Sequence, residues 1–177
     1  MNIKTGGPEL AVPAARRAGT GLRWTLLGAV LLVLVQSAVG MTVNLYVTVP
    51  SRHPGARPSN FFTGSFHSVA WAISSGPVAL ACHAALGLAL VVFAVAAVVH
   101  AIRARRRAVT YWSVAGGLLV IGAGFNGASF LDFNHDVSSL IMAVLAFAAA
   151  GCYATALFLS DGGKGLPSTD GGQGGHL

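Results

Sequence analysis

The residues able to do chemistry in this 177-residue chain are few, and most of them fall toward one end of its apolar segments. His83 is an ionisable group inside an otherwise uncharged run, with Ala79 and Gly87 one helical turn away on either side. A polar group at such a depth marks a functional site by default. One reading is an axial ligand to a b-type haem, where small neighbours let the porphyrin approach and a second imidazole, His135 or His67, completes the pair. Another is a neutral imidazole hydrogen-bonded to Asn126, Ser129 or Asn44. A metal or proton-relay role is the third. The haem reading has a specific weakness: His83 and His100 share one segment, 17 residues or about 25 Å apart, and no other segment carries a mid-span histidine.

The second constellation is Asp132-x-x-His135-Asp136. Carboxylate plus imidazole suits a divalent transition metal, with Asp132 and Asp136 as ligands and His83 or His67 converging on them. The spacing matches no metal signature, and a helix N-terminus explains Asp136 equally well. Asn44, Arg57, Asn126 and Ser129 complete a polar cluster on this side, and Arg57 is placed to pair with Asp132 or Asp136. Cys82 and Cys152 form no ligand-like pattern. Nucleophile elbows, phosphate loops and paired mid-membrane carboxylates are absent from the sequence. Gly122-x-Gly124-x-x-Gly127 has the dinucleotide spacing but sits within an apolar run, not between strand and helix, so it carries no such meaning.

The elements that position these residues follow from composition. Hydrophobic residues make up 54% of the chain and charged residues 9%, with a mean hydropathy of +0.69. Such a chain cannot cover a soluble surface and is too apolar for disorder, so lipid is its solvent. The spacing predicts an all-α, four-helix transmembrane bundle with spans over 24–49, 78–102, 109–131 and 136–159, each long enough to cross a hydrocarbon core of about 30 Å. Between the first two, residues 60–75 read as a short interfacial helix on the extracytoplasmic side, with Phe62, Phe66, Val69 and Ile73 on one stripe. Residues 1–22 and 161–177 read as disordered cytoplasmic tails flanking a membrane domain over 23–160. Residues 26–40 also imitate a signal peptide, but the apolar run continues to Pro50 and favours a retained span.

Net charge is +6, yet the bases lie in short blocks beside apolar runs, which fits membrane topology and anionic headgroups rather than nucleic acid. Nine of the eleven Lys and Arg residues lie in the N-terminal tail, the Arg103–Arg107 turn and the C-terminal tail. That distribution puts both termini in the cytoplasm of a plasma-membrane protein. Small residues such as Gly116, Gly117, Gly122, Gly127, Ala149 and Ala150 predict close packing of spans three and four, or room for a flat cofactor.

The segments Asn44–Pro50, His53–Gly64 and Gly122–Leu131 resemble those of small four-span membrane proteins of actinobacteria. That resemblance implies the four-span fold over about residues 24–160 and no activity. In size and span number the chain is also similar to small cytochrome b-type membrane proteins, but it lacks their histidines on several helices. Three functions follow as expectations. The first is a non-catalytic accessory or scaffolding module whose partners are the bilayer, another membrane protein or a second copy. The others are a single-haem redox protein and a small transporter or metal- or proton-responsive protein.

Overall fold

A computed structural model describes residues 11–161. It is all-helical there: α1 (Ala11–Tyr46), α2 (Phe61–Ser75), α3 (Val78–Arg103), α4 (Arg107–Phe133) and α5 (Asp136–Asp161). Four of these contain stretches long and apolar enough to cross a membrane, Thr20–Tyr46, Val78–Arg103, Arg107–Phe133 and Val137–Ser160. This is the architecture of a multi-pass membrane protein. The expected tails at 1–10 and 162–177 lie outside the described residues. Helix α1 begins at Ala11, within the stretch read as a tail, because Ala14, Ala15, Arg16, Arg17 and Ala18 are strong helix formers and Pro13 falls in the first turn, where its missing N–H costs nothing.

The long helices form a ring in the order α1, α3, α4, α5, each packed on its two neighbours, with no α-carbons within 8 Å of one another across the diagonals among the described residues. Helix α2 lies over α3 and α4. Large side chains such as Leu31, Leu34, Val92, Val95, Leu118, Val144 and Phe147 are exposed around the ring. Apolar surface on that scale belongs in lipid.

The interior divides into two apolar clusters. One joins Leu26, Ala29 and Val33 of α1 to Leu90, Ala94 and Ala97 of α3, Val120 of α4 and Tyr153 of α5. The other joins Val43 of α1, Val49, Ala72 of α2, Leu80 of α3 and Leu131 of α4. Glycines seat large side chains between the helices. A Cβ on Gly116 would stand 2.9 Å from Tyr153 Cε1, one on Gly127 3.1 Å from Met142 Sδ, and one on Gly122 3.3 Å from Leu145 Cδ1. The small face of α4 therefore receives bulky residues of α5 at these three positions.

Two local features differ from the sequence reading. Asp132 belongs to the last turn of α4, not to the connecting turn, because the helix runs on to Phe133 and ends where Asn134 takes a left-handed conformation (φ 54°, ψ 43°). The Asn134 N–H then closes the end on Phe130 O at 2.7 Å. In α2 the buried residues are Gly64, Ser68 and Ala72, whereas Phe62 and Phe66 are 71% and 74% exposed. Small side chains let α2 lie close on its neighbours, and the phenylalanine stripe turns outward.

Candidate functional site

The site is assembled where the loop after α1 and helix α2 meet the end of α4. Asn60 caps α2, its Oδ1 accepting from Thr63 N–H at 3.1 Å. That start places Ser65 and Ser68 one turn apart, facing α4. Both hydroxyls donate to the Asp132 carboxylate, Ser65 to Oδ2 at 2.9 Å and Ser68 to Oδ1 at 2.6 Å. Asp132 is 2% exposed and Ser68 fully buried. Hydrogen bonds to an ionised group contribute about 1.5–3 kcal/mol each, and a buried hydroxyl without its acceptor costs about 1–3 kcal/mol.

The loop adds two further ties. The main-chain N–H of Arg57 donates to Asp132 O at 2.9 Å, with Arg57 itself held at φ 51°. The expected pairing of Arg57 with Asp132 therefore runs through the backbone, and the guanidinium is exposed. His53 stacks on Trp71 of α2, ring centroids 4.4 Å apart, and reaches α4 through Nε2 to Leu131 O at 3.1 Å. Its Nδ1 faces Pro54 O at 3.0 Å. Carbonyls only accept, so a neutral imidazole satisfies one of them and the imidazolium both. Gly55, at φ +94°, lets the loop approach α2, since a Cβ there would overlap Gly64 O and Ser68.

His83 stands apart from this clasp. Its partner is Gln36 of α1, not Asn126, Ser129 or Asn44: Gln36 Nε2 donates to His83 O at 3.0 Å and lies 3.3 Å from His83 Nε2. The fit is reciprocal. A Cβ on Gly40 would stand 2.8 Å from the imidazole, and a Cβ on Gly87 would stand 3.2 Å from the Gln36 amide. Each antiparallel helix thus offers a polar side chain and, one turn on, a glycine that receives the other's. The pair lies between the two apolar clusters and leaves His83 Nδ1 and Gln36 Oε1 buried without partners.

The remaining cluster residues go elsewhere. Asn44 accepts from Ser139 Oγ at 3.2 Å, linking α1 to α5. Asn126 turns back to Gly122 O of its own helix at 2.9 Å. Ser129 is half-buried and takes part in none of these bonds. His67 is exposed beside Phe66 and lines an open recess of about 280 Å³ with Pro58, Asn60 and Thr63. His135 is exposed with its ring 6.1 Å from that of Phe133. The side chain of Asp136 lies outside the described residues. Among those residues no three His, Cys, Asp or Glu side chains come together as metal ligands would.

Sequence reasoning missed Gln36, His53, Ser65 and Ser68. The signal for Gln36 was present, as one of two amides in an uncharged run, and it had the same claim to attention as His83. Ser65 and Ser68 lie off the apolar stripe of α2, whose Phe62 and Phe66 are exposed. No protein-family model, curated protein or solved structure matches this chain.

Proposed function

We propose that the chain is a small plasma-membrane protein, both termini in the cytoplasm, that acts without catalysis as an accessory or scaffolding module. In this reading α2 lies at the extracytoplasmic interface and presents Phe62 and Phe66 to another membrane protein or to a second copy. The observation that carries it is the use made of Asp132. The carboxylate with the strongest claim to chemistry is buried and bound by Ser65 and Ser68, so its chemistry is spent on holding α2 over α3 and α4. A carboxylate so engaged is a fastening rather than a base or metal ligand.

The redox alternative, haem b on His83 with His135 or His67, has less in its favour. The His83 ring is seated against Gly40, its Nε2 meets Gln36, and the other two histidines are exposed. The transporter or metal- and proton-responsive alternative would need the outer polar groups to converge, and they divide among the clasp, the α1–α3 pair and the Asn44–Ser139 contact.

The test places a photocrosslinking amino acid at Phe66 and, as a lipid-facing control, at Val92, in cells supplied with haem. The expected result is a discrete protein adduct from position 66 and none from 92. Lipid adducts alone from both positions would overturn the scaffolding role. A Soret band in the purified protein that shifts with dithionite and is lost in His83→Ala would replace it with the redox reading.

A further inference from the structure

At the opposite end of the bundle the turn between α3 and α4 carries Arg103, Arg105, Arg106 and Arg107 within five residues. Arg106 is occupied: its Nη1 donates to Ser160 O at 2.9 Å and Leu159 O at 3.4 Å, closing the end of α5. The guanidinium groups of the other three have no hydrogen-bond or ion-pair partner among the described residues, and all three residues are exposed. Arg105 and Arg107 line an open recess of about 500 Å³ with Ile102, Thr110 and Tyr111.

Arg103 and Arg105 sit at the C-terminal end of α3, where cations are favourable. Helix α4, however, begins at Arg107 with no acid in its first turn and no side-chain cap, so its free N–H groups and the positive end of its dipole face the same place as the guanidinium groups. The Arg107 charge opposes that dipole unless an anion lies between them. Arg105 adopts φ 54°, a backbone conformation that glycine takes without strain, directly after α3.

The walls define the anion. Ile102 and Tyr111 are 57% and 68% exposed and continue onto the lipid-facing surfaces of α3 and α4. A mobile phosphate has no use for an apolar wall, whereas an acyl chain does. Tyr111 also supplies an O–H donor at the level where aromatic residues collect in membrane proteins. We propose that Arg105, Arg107, Tyr111 and the uncapped start of α4 form a binding site for the phosphate of an anionic phospholipid, its acyl chain lying along Ile102. Two guanidinium groups grip the phosphodiester oxygens. The site rests on the chain crossing a bilayer and is independent of what the outer end does.

The test is a titration of the detergent-purified full chain with phosphatidylglycerol, phosphatidylcholine or inorganic phosphate, followed by native mass spectrometry. The wild type is expected to retain phosphatidylglycerol in preference to phosphatidylcholine. Arg105→Gln with Arg107→Gln should weaken that binding roughly 25-fold, about fivefold per charge removed. Arg52→Gln with Arg57→Gln, at the other end, should leave it unchanged. Arg105→Gly separates binding from folding: it should weaken phosphatidylglycerol about fivefold while the thermal midpoint stays level or rises, because the left-handed strain is relieved. Equal retention of the two lipids, or unchanged binding in the double variant, would overturn the site. Displacement of the lipid by inorganic phosphate at matched concentration would overturn the lipid as its occupant.

Discussion

Helices α1 and α3 meet across two polar contacts, Thr25 with His100 at 2.9 Å and Gln36 with His83, whereas α4 and α5 meet through Tyr153, Leu145 and Met142 seated on Gly116, Gly122 and Gly127. Both seams join antiparallel apolar helices in a solvent as apolar as they are, so neither is driven by the hydrophobic effect. They solve the problem differently, although α1–α3 also seats one ring on a glycine, Phe93 Cε1 standing 3.0 Å from where a Cβ on Gly28 would be. Polar pairs fix register at modest energy, since interhelical hydrogen bonds in membranes contribute on average about 0.6 kcal/mol. Side chains fitted to glycines supply dispersion contacts along the whole seam. The comparison implies that α4–α5 is the stronger junction and α1–α3 the more exactly registered one.

The largest effect should come from spoiling the glycine fit. Gly116→Leu forces bulk into the space of the Tyr153 ring and is expected to cost about 3 kcal/mol or more, read as the unfolding midpoint in mixed micelles. Gly124→Leu, where nothing lies within 4 Å, should change that midpoint little. Equal effects would mean that the seam does not depend on its glycines.

Next comes the clasp, a polar junction like α1–α3 but one with a buried charge. Asp132→Ala leaves the buried Ser68 hydroxyl without its acceptor and should cost about 2–3 kcal/mol, with the loop over 50–60 of the purified protein becoming sensitive to protease. Resistance equal to wild type would remove Asp132 from its place in holding α2. Gln36→Leu should cost less, about 0.6–1.7 kcal/mol in the same unfolding assay, and a loss as large as that of Gly116→Leu would reverse the ranking of the seams. Smallest of all, Tyr153→Phe should be neutral or stabilising by under about 1 kcal/mol. The Tyr153 hydroxyl is buried with no partner, so its removal relieves an unmet polar group while the ring stays on Gly116.

The helices themselves were legible, because uncharged runs beside arginines and Gly-Pro breaks have one physical reading. Which side chains meet was not. Asp132, Ser65 and Ser68 find one another only once the rotation of α2 is known, and α2 leaves Phe62 and Phe66 exposed. The long helices are apolar on every side, so no stripe announces which face of α1 carries Gln36 toward His83. The end of α4 was misplaced by two residues for a local reason, the left-handed Asn134 that lets Asp132 remain helical.

The clasp also constrains how the chain is threaded. Ser68 and its acceptor Asp132 lie 64 residues apart, with the whole of α3 and most of α4 between them. They can meet only on one side of a bilayer, which requires that the chain between them cross it an even number of times. A nascent chain whose α3 or α4 failed to insert would strand Asp132 on the opposite face, with Ser68 unanswered. The hydroxyl waits, through the synthesis of two spans, for a carboxylate whose arrival excludes a single missed crossing.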